Sequence, residues 1–322
     1  LTMSILSPGM DHVGTGVVAI DANYLRPRLA ASHLIVDAGE AAFVDTGTNS
    51  SVPGLLAALD VLEVPVAAVR YVFLTHVHLD HAGGAGSLMD ALPDAQCVVH
   101  PRGSRHMADP GKLMTGTRAV YGDAATARLY GDIVPIPEQR IVEPANGEWF
   151  KLGERRLEAF YTEGHARHHY CLNDPASRGV FSGDSFGISY RNLDTDTGAF
   201  IFPTTTPVHF DPAAAHRAID QILARVPDHV YLTHYRRVGE LDRLAADMHR
   251  HLDAFVAIAR ANSKAPDRQA AIEQALFDYL AECIEAHGFD GGRDAIGAVI
   301  NDDVTLNTQG LVVWLSREED QE

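Results

Sequence analysis

Cysteine is scarce and never closely spaced. Cys97, Cys171 and Cys283 are spread over 322 positions, with no Cys-x-x-Cys. That excludes a thiolate zinc ribbon, a thioredoxin-type redox motif and a disulfide scaffold. Cys97 and Cys171 lie in apolar strand-like runs and Cys283 in a helical pattern, so all three read as small buried apolar side chains, compatible with a reducing cytosol. Long apolar runs are missing too. No stretch of 18 apolar residues occurs, and no charged start leads into an apolar core. A soluble cytoplasmic protein with no membrane partner is expected. Basic charge is also short: 26 Lys and Arg face 43 Asp and Glu, a net charge of −17. Binding of phosphate polymers needs clustered cations, so a nucleic-acid partner is not expected. There is no repeat and no low-complexity tract.

What is abundant is histidine, and it is concentrated. Thr75-His76-Val77-His78-Leu79-Asp80-His81-Ala82-Gly83-Gly84 packs three imidazoles and a carboxylate into six residues. The apolar run 69–74 before it reads as a buried strand, and Gly83-Gly84 turns into a helix through Met89. The polar cluster therefore sits on a loop leaving a strand end, where layered α/β folds build sites. His76 and His78 are two apart in extended chain and face one way, so they can chelate one ion. Asp80 and His81 lie at the turn and can reach a second. At this composition His-x-His-x-Asp-His arises by chance in fewer than about one chain in a hundred. Imidazole and carboxylate without thiolate suit zinc, iron or manganese.

Three more strand ends carry polar groups. The run 156–161 ends in Thr162-Glu163-Gly164-His165, the run 179–181 in Ser182-Gly183-Asp184, and the run 230–232 in Thr233-His234-Tyr235. His165, Asp184 and His234 are the further candidate ligands, and a carboxylate such as Asp184 can bridge two cations. His168 and His169 are less suited as ligands and could line a pocket. Asp45, in Asp45-Thr46-Gly47 after another strand, either orients a ligand or bonds local N–H groups. His106 is a poor candidate.

The remaining pattern places strands at 13–20, 33–36, 41–44, 96–100 and 170–172. A helix capped by Ser50 or Ser51 runs to about Leu62, and Asp211-Pro212 opens another through Arg225. Residues 101–140 lack a clean period and read as short helices forming a flap. Residues 200–210, rich in aromatics, Pro and Thr, either wall a pocket or pin a loop. After about Glu240 apolar residues recur at three and four, with Gly288 as a stop and Asn301 or Asp302 capping a last helix. Glu318 to Glu322 read as a frayed acidic tail.

Together these residues resemble the metallo-β-lactamase-fold hydrolase superfamily over roughly residues 13–237. The segment Thr75–Gly84 matches its His-x-His-x-Asp-His signature, and Val44-Asp45-Thr46-Gly47, His165, Asp184 and His234 match its other motifs in order. The resemblance implies an α/β fold, a four-layer αββα sandwich, spanning residues 1–237, with a C-terminal helical extension at 238–322 that packs on it and does not stand alone. It implies two divalent cations, zinc before iron or manganese. His76, His78 and His165 would hold the first, Asp80, His81 and His234 the second, and Asp184 would bridge. A bridging water of lowered pKa would yield hydroxide, which attacks an ester-type carbonyl, with Asp80 as the catalytic group orienting it and shuttling its proton. His168, His209 and Tyr235 are the expected contacts to a small-molecule substrate. Asp184 stands where the best-known β-lactamases carry cysteine, and His78 where flavodiiron reductases carry glutamate, which disfavours both branches. The helical C-terminal third is similar to glyoxalase II-type and quinolone-signal-response thioesterases. A thioester, lactone or related acyl compound is therefore the expected substrate. An iron-dependent oxygen or sulfur redox enzyme and a metal-retaining binding protein with little turnover are the alternatives. A homo-oligomer stays open.

Overall fold

The computed structural model describes residues 9–320. The chain divides into two compact units. The first holds the chain up to Tyr161, then His168–Gly183 and Pro227–Arg237; the second holds Thr162–Arg167, Asp184–Val226 and the residues from Val238 on.

Two mixed sheets build the first unit. The seven-stranded sheet runs in chain order: β1 (Met10–Gly14), β2 (Val17–Asp21), β3 (Ala31–Asp37), β4 (Glu40–Val44), β5 (Val69–Leu74), β6 (Gln96–Val99) and β7 (Ile141–Val142). Pairing is antiparallel from β1 to β4 and parallel from β4 to β7. The six-stranded sheet is ordered β13 (Arg236–Val238), β12 (His229–Leu232), β11 (Gly179–Gly183), β10 (Tyr170–Asp174), β9 (Arg155–Tyr161), β8 (Glu148–Leu152), with β11 and β12 parallel. Helices α1 (Val52–Val61), α2 (Leu79–Ala82) and α3 (Ala85–Ala91) follow β4 and β5. Leu55, Leu59 and Leu88 pack with Phe43, Val72 and Val99 into one apolar cluster. Each such side chain contributes about 1.5–3 kcal/mol when fully buried. Between the sheets, Phe73 of β5 meets Phe150 of β8 edge-on at 5.4 Å, and His33 of β3 meets Phe181 of β11 at 5.3 Å.

Residues 101–140 form short helices as expected: α4 (Pro101–Ala108), α5 (Gly111–Tyr121) and α6 (Asp123–Leu129). The second unit is helical: α7 (Pro212–Leu223), α8 (Leu241–Ala261), α9 (Arg268–Ala286) and α10 (Gly292–Glu319). Asp211 caps α7 through Ala214 N at 2.9 Å, with Pro212 in the first turn. Leu244, Met248, Leu252 and Phe255 of α8 are buried, as are Ile272, Leu276 and Leu280 of α9, which is the stripe the periodicity implied. The three cysteines form no disulfide, and Cys97 and Cys171 are buried.

Several local expectations are corrected. The strand at 13–20 is a hairpin of β1 and β2, because Gly16 turns the chain at a φ of +66° that β-strand residues avoid. Ser51 stands at the N-cap position of α1 but makes no capping bond; its hydroxyl donates to Ala22 O at 2.6 Å and accepts from Thr48 N. Asn301 and Asp302 lie inside α10, which begins nine residues earlier at Gly292. The acidic tail is not frayed at its start: Glu318 pairs with Arg260 and Glu319 with Arg268, both at 3.1 Å. Gln321 and Glu322 lie outside the described residues.

Candidate metal centre

Asp45 organises the first unit's strand ends. It follows β4 at a φ of +58° and is fully buried. Its Oδ1 accepts from Thr75 N at 2.8 Å, and its Oδ2 from Thr75 Oγ1 and Thr233 Oγ1, each at 2.9 Å. Oδ2 also accepts from His81 Nδ1 at 2.9 Å. One carboxylate therefore ties the ends of β4, β5 and β12; it orients an imidazole, and the N–H group it accepts from is that of Thr75, 30 residues on, and not one of its own turn. Because a carboxylate only accepts, His81 carries its proton on Nδ1 and turns Nε2 outward as a lone pair.

His234 is set the same way. Its Nδ1 donates to Leu29 O at 3.0 Å, so its Nε2 is the lone-pair nitrogen. The His81 and His234 Nε2 atoms are 3.3 Å apart, and Asp80 Oδ2 lies 3.1 Å from His234 Nε2 and 3.6 Å from His81 Nε2. A tetrahedral cation with bonds near 2.0–2.1 Å separates its ligand atoms by about 3.3 Å. Asp80, His81 and His234 thus present three donor atoms at the spacing of a metal site, and they form a group that could hold an ion. Without a cation, lone pairs this close would repel, and neither ring can turn without losing its Nδ1 bond. The residues fit a divalent metal.

His76 and His78 stand beside this group in the same unit. His76 Nε2 is 2.9 Å from His78 Nδ1, and its ring centroid is 4.1 Å from that of His81. His76 Nδ1 contacts Thr75 Oγ1 at 3.2 Å, leaving Nε2 toward His78. His169 lies 4.9 Å from the His76 ring at an interplanar angle of 27°, and His168 stands edge-on to His78 at 5.6 Å. Tyr235 is buried next to His234. His106 sits on α4 and, among the described residues, belongs to no such group.

The second unit brings His165 and Asp184 together, with Nε2 and Oδ2 separated by 3.4 Å. His165 Nδ1 donates to Thr204 O at 3.2 Å, so here too Nε2 is the lone-pair nitrogen. Both side chains line a pocket whose other walls include Ser185, Ala218, Met248 and Leu252. His209 lies in the turn 207–209 of this unit.

Some contributors were not singled out in the sequence. Thr75 and Thr233 each precede a candidate ligand and each bond Asp45; the repeated Thr-His pair at two strand ends was the available signal. Tyr130 and Tyr24 join their hydroxyls at 2.7 Å. Burial, with Tyr121 and Asp80 nearby, pushes the Tyr130 phenol far up, so it stays protonated. No motif marks either tyrosine.

Residues 25–234, well over half of the chain, match the Metallo-beta-lactamase superfamily. The chain belongs to the metallo-beta-lactamase superfamily. Among superfamily members of known sequence, the metallo-beta-lactamase fold-containing protein ST1585 of Sulfurisphaera tokodaii is 27% identical over 186 residues, 56% of this chain and 64% of its own length. Hydroxyacylglutathione hydrolase of Maricaulis maris is 29% identical over 46% of this chain and 44% of its own. Acyl-coenzyme A thioesterase MBLAC2 of Gallus gallus is 29% identical over 51% of this chain and 57% of its own. The matches thus span about half to under two thirds of these relatives' lengths. The crystal structure of ST1585 from Sulfolobus tokodaii aligns with a TM-score of 0.66 at 23% identity, covering 92% of this chain and 98% of that one. TTHA1429 from Thermus thermophilus aligns at 0.66 with 17% identity, covering 98% and 95%. The fold is therefore the superfamily's four-layer αββα sandwich with a C-terminal helical region. Among the described residues no helix is long and apolar enough to cross a membrane.

Proposed function

We propose that this protein is a metal-dependent hydrolase of ester-type bonds, with thioesters of small acyl compounds ahead of lactones. The observation that carries the reading is the Asp80, His81 and His234 trio, whose donor atoms lie 3.1–3.6 Å apart with both rings locked by Nδ1 bonds. In this reading His76, His78 and His165 hold one cation, Asp80, His81 and His234 a second, and Asp184 serves both; the order of the superfamily motifs along the chain supports that assignment. Zinc suits an imidazole and carboxylate set best, with iron or manganese next. When bound, the cations supply Lewis acidity toward a carbonyl oxygen and lower the pKa of a water toward neutrality.

The chain's own side chains do the rest. Asp80 is 21% exposed at its side chain, against 0% for His81, so it is the member of the trio that solvent reaches. It orients the attacking water and takes its proton. Asp45 keeps the His81 lone pair aimed while the charge on the site changes. Met248, Leu252 and Ala218 line the small pocket beside His165 with apolar surface. Two of those three come from α8, which supports reading the C-terminal helices as part of the site and not as a separate domain. His168, His209 and Tyr235 are the proposed polar contacts to substrate. Two relatives, a hydroxyacylglutathione hydrolase and an acyl-coenzyme A thioesterase, support the thioester class. Three cysteines outside any disulfide support a cytoplasmic setting.

The test is elemental analysis of the purified protein followed by a panel of a thioester, a lactone and a phosphodiester. Two metal equivalents per chain and metal-dependent thioester turnover are expected. Asp184→Ala and His78→Ala should abolish turnover while unfolding cooperatively near the wild-type temperature. Full activity in either variant removes the mechanism.

A further inference from the structure

The longest helix carries a buried amide where an apolar side chain would pack better. Asn307, in the middle of α10, is 1% exposed. Its Oδ1 accepts from Thr205 N and from Thr205 Oγ1, the latter at 3.1 Å, and its Nδ2 donates to Pro203 O at 3.2 Å. The side chain therefore pairs with the backbone on both sides of Thr204. The helix comes unusually near at this point. A Cβ on Gly310, one turn further on, would lie 1.5 Å from Thr205 O. Any residue but glycine there would push the helix off the strand-like segment that Asn307 reads.

Thr204, held between those two bonds, is the residue whose carbonyl accepts the His165 Nδ1–H at 3.2 Å. That bond sets which nitrogen of His165 carries the proton and where Nε2 points, 3.4 Å from Asp184 Oδ2. A buried amide costs several kcal/mol unless every bond is made, so its presence specifies one geometry and not mere packing.

We propose that Asn307 is a positioning residue for the metal site: through the backbone of Pro203–Thr205 it fixes the tautomer and direction of His165. This gives the C-terminal helix a part in metal binding through the backbone that Asn307 holds. The inference rests on the reading of His165 as a metal ligand.

Asn307→Asp keeps one acceptor for Thr205 N but sets a carboxylate oxygen against Pro203 O, which turns the segment. Zinc affinity is measured by chelator competition on the full chain, and the His165 Nδ1–H proton is followed by nitrogen-edited NMR of the zinc-loaded protein. The expected result is one of two zinc equivalents weakened about 10- to 100-fold, with the His165 ring proton lost to solvent exchange. Leu311→Ala, which opens a buried cavity one turn along α10, is the control; it should lower stability and leave both zinc constants and the ring proton unchanged. Thr205→Val removes both hydroxyl bonds to Asn307 and is expected to weaken the same equivalent by a smaller factor; it decides the matter where Asn307→Asp does not fold. Unchanged zinc binding and an unchanged ring proton in these variants overturn the inference alone. An equal loss in Leu311→Ala also overturns it, since the effect would then be general loosening. Wild-type protein that holds no zinc overturns the reading of the site and the inference with it.

Discussion

Asp45→Asn is the sharpest perturbation of the proposed centre, because it changes one atom and almost no volume. The Thr75 N–H at 2.8 Å needs an acceptor, so the remaining amide oxygen takes the Oδ1 place and the new NH2 takes the Oδ2 place. Three groups face Oδ2. Thr75 Oγ1 and Thr233 Oγ1, at 2.9 Å each, are hydroxyls that can rotate and accept. His81 Nδ1, also at 2.9 Å, has only two choices. It can stay protonated and clash donor against donor, or move its proton to Nε2 and accept. The second is cheaper and takes away the lone pair that faces Asp80 and His234. Loss of a charge-assisted hydrogen bond costs about 1.5–3 kcal/mol of stability. Metal affinity at the Asp80, His81 and His234 group should fall about 10- to 100-fold, or about 1.4–2.7 kcal/mol. Urea unfolding of metal-free protein gives the first quantity and chelator competition the second. A variant that loses stability by that amount but binds metal within about twofold of wild type would refute the tautomer argument.

Two further outcomes follow from buried ionisable groups. Burial, with Arg250 adding to it, holds His251 down to about 4, and burial does the same for His33 against the opposing pull of Asp45. Both are ordinarily near 6.5 when unfolded, so between about pH 6.5 and 4 the unfolded chain binds more protons and stability falls as pH falls, by up to about 1.4 kcal/mol per pH unit for each group; urea midpoints at about pH 7, 6 and 5 should show a shallower fall in His251→Gln, and an unchanged slope would contradict the assignment. Arg155, 4% exposed at its side chain, binds Asp174 Oδ2 at 2.7 Å, Asp37 Oδ1 at 3.2 Å and Thr15 O. Arg155→Ala leaves the buried Asp174 charge uncompensated and should cost about 3–5 kcal/mol in equilibrium unfolding, whereas a cost under about 1 kcal/mol would mean the network is not formed.

The legible part of the molecule was the part with a local signal. His76, His78, Asp80 and His81 sit within six residues, and each further candidate ligand follows an apolar run that could only be a strand. The candidate ligands Asp80, His81 and His234 of the first unit and the His165–Asp184 pair are therefore readable from local signals. Strand β8, Glu148–Leu152, was not read, because its alternate side chains are exposed and Trp149 is 42% exposed, which blurs its period. The start of α10 was misplaced because Gly291 precedes it and Gly292 opens it, which breaks the helical composition there. Asn307 could not be found at all. It is one polar residue on a long helix, and its partner lies 102 positions away. Likewise Asp45 could be named but not assigned, since its partner hydroxyl on Thr233 is 188 residues distant.

The chain passes between its two units five times, at Tyr161, Arg167, Gly183, Val226 and Arg237. Only the last crossing has all the remaining chain on one side. A cut there would strip α8 to α10 from the second unit and leave Thr162–Arg167 and Asp184–Val226, which carries α7, behind without the helices they pack with. Sequence change in α8 to α10 is therefore expected to be constrained by the segments Thr162–Arg167 and Asp184–Val226 of the same unit, and insertions should be tolerated at surface turns more readily than at any of those five crossings.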